Sequence, residues 1–204
     1  QPDIQADLIG ASNTLFRSDG VWHATNTDYD AIIETLEEAM GAQRSAEPVL
    51  KDKRVLILGA GGVARAAACA MQQQGAYVVI ANRTKARAKE LASELGCLTV
   101  PWENRGAEKL DVLINCTSVG MQPNVNESPF EQHWLHESMV VFDTVYTPEN
   151  TLLMKHAQQR GCLTASGIQM FVRQAARQFT LFTGQEAPLE YMTETLRRYL
   201  SAAR

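Results

Sequence analysis

A glycine-rich turn, Gly59-Ala60-Gly61-Gly62-Val63-Ala64, stands between a short apolar run and a stretch of helical periodicity. The run, Arg54-Val55-Leu56-Ile57-Leu58, reads as a buried strand, and residues 62–74, stopped by Gly75, read as a helix. The spacing fits G-x-G-x-x-G/A with Ala64 in the third place. Gly59 permits the tight turn, Gly61 lets the backbone come close to a pyrophosphate, and small Ala64 lets helix and strand pack closely. Free N–H groups and the positive end of the helix dipole, at Gly62 and Val63, then face the phosphates. A glycine turn with only a structural role has the same spelling. The strand–turn–helix context favours the dinucleotide reading.

The text after this turn alternates in the same manner. Strands are expected at 77–81, 97–100, 111–115, 139–143 and 162–165, with helices at 84–95 and 150–160 stopped by Gly96 and Gly161. Continuous apolar strands joined by helices imply a doubly wound parallel sheet of the α/β class. A helix at 28–41 precedes it, and a polar linker at 42–53 leads into the first strand. Residues 1–25 read as strand pieces and a turn, and residues 121–138 read as a long loop. Two further helices, 167–183 and 188–200, close the chain, with Gly184 between them and Pro188 opening the second.

The second strand of such a unit ends where NAD enzymes carry an acid for the ribose 2′-hydroxyl. Here the text is Asn82-Arg83-Thr84-Lys85-Ala86-Arg87. No carboxylate repels a 2′-phosphate, Arg83 and Arg87 can reach one, and the Thr84 hydroxyl can bond it. Cations at a helix N-terminus oppose its dipole, so an NADP phosphate supplies their reason. A solvated basic helix start is the plain alternative.

Other classes of function fall away on composition. With 19 basic and 23 acidic residues the net charge is −4, against a general nucleic-acid binder. No run is long and apolar enough for a membrane span, and the start lacks a signal-peptide pattern, so a cytoplasmic setting is expected (a plastid in a plant). The chain begins without Met in polar text, which suggests a piece of a longer chain. Cys69, Cys97, Cys116 and Cys162 form no C-x-x-C pair and no histidine stands at ligand spacing, so reduced thiols and no metal are expected.

Taken in order, the motifs resemble shikimate dehydrogenase. They are Gly10-Ala11-Ser12-Asn13-Thr14, Asn26-Thr27-Asp28, the glycine turn at 59–62, Asn82-Arg83-Thr84, residues 115–121, Tyr146 with Pro148, and residues 166–174. Tyr29, the run at 120–123 and the Gln174/Gln178 pair are most similar to the dehydrogenase half of fused dehydroquinate dehydratase–shikimate dehydrogenases. The resemblance implies a Rossmann-like NADP domain over 26–165, a remnant of a substrate domain over 1–25, and C-terminal helices over 166–204 that close back on that domain. It implies NADP-linked interconversion of 3-dehydroshikimate and shikimate, a small-molecule substrate, and a dehydratase domain as a possible fused partner.

The same resemblance implies site residues. Asp28 matches the aspartate of a lysine–aspartate proton relay. None of Lys51, Lys53, Lys85, Lys89, Lys109 and Lys155 matches the lysine, and the serine pair that grips the substrate carboxylate has no counterpart. Asn13, Asp28, Tyr146, Gln174 and Gln178 form the substrate wall. The cofactor would meet Gly59, Ala60, Gly61, Gly62, Val63, Asn82, Arg83, Thr84, Arg87, Thr117, Ser118, Thr144, Gly167 and Met170. Plain roles stand beside these: Thr27 and Asp28 suit the N-cap of helix 28–41, Asn13 suits a turn, Tyr146 can pack beside Pro148, and Met170 can fill a core. Gln174 and Gln178 share a helix face next to Phe171, Ala175 and Phe179. Two other readings remain open: an NADP-binding regulatory module without turnover, and a relative that uses quinate.

Overall fold

The structure is a computed structural model that describes residues 1–41, 47–107 and 109–202. The chain opens with helix α1 (Ile4–Ile9), hairpin strands β1 (Thr14–Ser18) and β2 (Val21–Thr25), and helix α2 (Asp28–Ala39). Helix α1 stands in text expected to hold only strand pieces and a turn. Its caps explain it: Asp3 accepts from Ala6 N at 2.8 Å, and Gly10 ends it at φ +67°. Thr14 to Thr25 pair antiparallel in register, with Leu15 opposite Ala24.

Six parallel strands follow, in spatial order β5-β4-β3-β6-β7-β8. They are β3 (Arg54–Leu58), β4 (Tyr77–Ala81), β5 (Leu98–Thr99), β6 (Val112–Asn115), β7 (Val140–Asp143) and β8 (Leu163–Ser166). Helices α3 (Gly62–Gln73), α4 (Lys85–Leu95) and α5 (Leu152–Gln159) make crossovers. The fold is Rossmann-like α/β. Strand order reverses between β3 and β6, and open sheets of this kind bind ligands there, outside the carboxyl ends.

Alternation along the strands builds two cores. Val55 and Ile57 face a layer with Ile32 and Leu36 of α2 and Ala64, Ala67 and Met71 of α3. Leu56 and Leu58 face the other layer, with Phe130, Leu135 and Leu153. Both layers are buried, as a parallel sheet requires. Residues 42–46 of the expected linker lie outside the described residues, but its later part is no mere connector, because Leu50 is fully buried in the first core. The expected loop at 121–138 includes a 3-10 turn, Gln132–Trp134, and another, Trp102–Asn104, follows β5.

Helix α6 (Gly167–Thr183) starts from a capping box in which the Ser166 and Gln169 side chains each bond the other's backbone N–H. It packs on α2, and α7 (Leu189–Ala202) packs on α6. Arg173 and Arg177 tie the first pair: Arg173 Nη2 lies 2.6 Å from Glu38, and Arg177 Nη2 lies 2.7 Å from Glu34. No helix of the described residues is long and apolar enough to cross a membrane.

Candidate active site

Two cavities open at the carboxyl ends of the sheet. The first, about 190 Å³, is lined by Gly59, Ala60 and Gly61 after β3, Asn82, Arg83 and Arg87 after β4, Trp102 after β5, and Cys116, Thr117, Ser118 and Val119 after β6. The first two glycines of the turn motif, Gly59 and Gly61, differ in what they require. Gly59 has φ +116°, and a Cβ there would stand 2.8 Å from the Cys116 carbonyl oxygen, so fold and conformation both demand glycine. Gly61 has an ordinary φ of −96°, and a Cβ there would meet nothing within 4 Å. Nothing in the protein needs glycine at Gly61; a ligand approaching its backbone would. Helix α3 begins at Gly62 with no acid in its first turn, so its dipole offers positive potential to phosphates.

The charge of this cavity is one-sided. Arg83 and Arg87 are exposed, and among the described residues neither pairs with a carboxylate. No acid stands in the first turn of α4 to offset them. Thr84 occupies the N-cap of α4 without a side-chain capping bond, and it is exposed rather than part of the lining. These features fit a pyrophosphate and a further phosphate on the ribose.

The second cavity, about 500 Å³, is lined by Asn13, Asp28, Val63, Thr144, Tyr146, Gly167, Met170, Phe171, Gln174 and Gln178. All five residues of the expected substrate wall line it. Val63, Thr144, Gly167 and Met170, expected on the cofactor, line it as well. A chain of polar contacts sets its back. Gln178 Nε2 donates to Thr14 Oγ1 at 3.0 Å, Thr14 Oγ1 donates to Asn13 Oδ1 at 2.8 Å, and Asn13 Nδ2 donates to Thr27 Oγ1 at 3.1 Å. Thr27 Oγ1 also lies 3.4 Å from Gln174 Oε1.

That chain corrects the expected cap. Thr27 stands at the N-cap of α2 but makes no side-chain capping bond, because its hydroxyl is engaged by Asn13 and Gln174. The Asp28 N–H is met instead by Asn26 Oδ1 at 3.1 Å. The Asp28 carboxyl is thereby left to the cavity. Burial pushes its pKa up, and a hydrogen bond from Asn13 pulls partly the other way. Tyr146 packs on Phe171, ring centroids 4.9 Å apart, with 39% of its surface exposed. Met170 is 6% exposed and belongs to the core as well as to the lining. Gly167 is required by packing: a Cβ there would fall 2.5 Å from the Val145 carbonyl oxygen.

Beneath both cavities lies a pair that sequence reading passed over. Asp143 and Asn115, both fully buried, end β7 and β6 side by side. Asn115 Nδ2 donates to Asp143 Oδ1 at 2.9 Å, while Asn115 Oδ1 accepts from Thr117 N at 3.0 Å and Thr117 Oγ1 at 2.7 Å. Asp143 also accepts from Val145 N at 3.1 Å and Thr151 Oγ1 at 2.6 Å, and Thr144 Oγ1 donates to Asn115 O at 2.8 Å. One buried pair thus positions Thr117 of the first cavity and Thr144 of the second. An acid closing the apolar run at 139–142 is the signal that could have found it. Trp102, Val119 and Phe171 were likewise not anticipated as lining residues; Val119 and Phe171 lie inside the recognised motifs at 115–121 and 166–174, and Trp102 follows a short strand.

Comparison with known proteins shows the family. Residues 41–153 match the family model described as shikimate/quinate 5-dehydrogenase, and residues 167–197 match the shikimate 5′-dehydrogenase C-terminal domain. The chain is 41% identical over 97% of its length to a chloroplastic bifunctional 3-dehydroquinate dehydratase/shikimate dehydrogenase of Arabidopsis thaliana. It spans only 34% of that enzyme. It is 38% identical over 98% of its length to an NADP(+) shikimate dehydrogenase of Moorella thermoacetica, spanning 70% of it. A crystal structure of shikimate dehydrogenase in complex with NADP+ superposes with a TM-score of 0.85 at 34% identity, covering 98% of this chain and 70% of that one.

Proposed function

The chain belongs to the shikimate dehydrogenase family, and from that premise we propose that it carries the cofactor site and one wall of the substrate site of an NADP-dependent shikimate dehydrogenase. The reaction is reduction of 3-dehydroshikimate to shikimate. One observation carries the reading: at the carboxyl end of one sheet, a glycine turn with two arginines that pair with no carboxylate among the described residues stands beside a cavity that gathers Asn13, Asp28, Tyr146, Gln174 and Gln178. NADPH, when bound, supplies the hydride. Gly59, Gly61 and the start of α3 hold its pyrophosphate, and Arg83 and Arg87 hold the 2′-phosphate.

On the substrate side, Asn13, Tyr146, Gln174 and Gln178 orient a polyhydroxylated ring with donors and acceptors, while Met170 and Phe171 limit water. Asp28 moves a proton at the substrate oxygen that changes between carbonyl and hydroxyl. A carboxyl raised by burial is better matched to that task than an exposed one. No lysine lines this cavity among the described residues, so the proton partner implied by the resemblance is not furnished by this wall. Quinate differs at a ring carbon these residues do not single out, so it serves as the comparison substrate.

The cofactor half of the reading is tested by calorimetry. NADP+ is expected to bind about ten- to a hundredfold more tightly than NAD+, the worth of a charge-assisted contact. Arg83→Ala should abolish most of that preference. Equal affinity of the unmodified chain for the two cofactors would sink the reading.

A further inference from the structure

Trp102 begins the 3-10 turn that follows the edge strand β5, and it is the only aromatic side chain among the described residues lining the first cavity. Its ring is held from behind. The Arg105 guanidinium lies 4.3 Å from the Trp102 ring centroid and 5.1 Å from that of Trp134. Arg105 is itself fixed by donating to the Trp102 and Pro129 carbonyl oxygens, each at 2.6 Å. Trp134 is seated against Gly106, where any Cβ would fall 2.1 Å from its ring, and it meets Phe130 edge-on at 5.1 Å. The ring of Trp102 is thus a braced surface, half-buried against the second core, with its remainder in the cavity.

Its place along the cavity gives it a task. On one side of the glycine turn after β3 the lining passes Asn82, Arg83 and Arg87 after β4 and reaches Trp102 after β5, and on the other side it holds Cys116, Thr117, Ser118 and Val119 after β6. With the pyrophosphate at the glycine turn and the ribose phosphate at the arginines, the adenosine half lies on the β5 side of the turn, where Trp102 is the lining residue beyond them. We propose that Trp102 is the base-recognition residue of this cavity, the aromatic surface against which the adenine of NADP(H) packs. A purine is planar and polarizable, and an aromatic face braced by a cation behind it is suited to stack with one. This inference rests on the cofactor reading above and adds to it the residue that meets the base.

The test uses 2′,5′-ADP, which carries the base and the ribose phosphate, with nicotinamide mononucleotide as the ligand that lacks adenine. Both are titrated by calorimetry into the unmodified chain, Trp102→Leu and Trp102→Phe, with melting curves to verify folding. Trp102→Leu keeps an apolar side chain but removes the π face, and it should weaken 2′,5′-ADP about 5- to 100-fold, the usual worth of one stacked base. Trp102→Phe should stay within about threefold of the unmodified chain, the smaller ring still stacking, and nicotinamide mononucleotide should be indifferent to both. Tryptophan fluorescence gives a readout that needs no loss of affinity. Binding of 2′,5′-ADP should change the emission of the unmodified chain, and Trp102→Phe should remove that change, leaving Trp22 and Trp134 unaffected. If 2′,5′-ADP binds the unmodified chain and Trp102→Leu equally well, the assignment of Trp102 is overturned and the cofactor reading stands. If neither 2′,5′-ADP nor NADP+ binds the unmodified chain, both fall.

Discussion

Asp143 is a carboxylate without solvent, and its neighbours decide what that costs. Burial pushes its pKa from the ordinary 3.8 up to about 6, against the pull of bonds from Thr151, Val145 and Asn115. Three donors reward the charged form, and the absence of water penalises it more. The folded pKa lies above the unfolded one, so the folded state binds this proton more readily. The group therefore favours folding fully below pH 3.8, and that contribution is lost as pH rises through about 6. A shift of this size corresponds to about 3 kcal/mol. Asp143→Asn cannot titrate, yet its amide can still accept from Asn115 and Val145. Denaturant unfolding of both proteins between pH 4 and pH 7 should then give a difference that moves in favour of the variant by roughly 2–3 kcal/mol as pH rises. A difference that stays flat, or moves toward the unmodified chain, would contradict the carboxyl's raised pKa.

Elements place these residues, and a close approach between two of them is made at Gly167. The first residue of α6 lies so near the strand exit after β7 that a Cβ would sit 2.5 Å from Val145 O and 2.6 Å from Thr144 O. Both neighbours are backbone, which cannot swing aside. Gly167→Ala should cost about 1–3 kcal/mol in unfolding experiments, the usual range for overpacking. It should also weaken ligand binding in the second cavity, because Met170, Phe171, Gln174 and Gln178 ride on α6. Unchanged stability would mean that α6 yields more easily than this packing implies. The glycine at this place was legible in the sequence, but its reason was not. Strands β3, β4, β6 and β7 could be read because both faces are buried and their text is continuously apolar. Glycine stops marked α4 and α6 because only a left-handed residue ends them that way, at φ +71° for Gly96 and +69° for Gly184. Helix α1 escaped notice because six residues are too few to show a period. The hydroxyl of Thr27 went to partners rather than to the cap, since Gln174 lies 147 residues away in sequence. The Asn115–Asp143 pair escaped for the same reason: its meaning lies in strand register, which text does not display.

At the scale of the whole molecule, burial is unequal. The sheet and its helices are tightly filled, whereas Trp22 on the hairpin is 62% exposed, and Phe182 and Tyr191 at the junction of α6 and α7 are 60% and 64% exposed. A cavity of about 530 Å³ lies among α2, α6, the start of α7 and the end of the hairpin. On the reading proposed above, cofactor binding draws on the first cavity, and proton transfer and substrate grip draw on the second. The two should therefore separate in experiment. NADP+ at about a hundred times its Kd should stabilise the chain by roughly 2.7 kcal/mol and raise its melting temperature by roughly 5–10 °C. The same chain should form no measurable NADPH from shikimate. Among the described residues no lysine lines the second cavity to share the proton of Asp28, and general acid–base help is usually worth ~10²- to 10⁴-fold. Orientation matters more: if, as proposed, this cavity is one wall of the substrate site, much of the roughly 7–11 kcal/mol that positioning can supply is forgone. Melting curves and an absorbance assay on one preparation distinguish the parts of this argument. A thermal shift with NADP+ and no turnover is the expected result. No shift would remove the cofactor reading itself, and brisk NADPH formation would mean that another group in this cavity serves as the acid–base partner of Asp28.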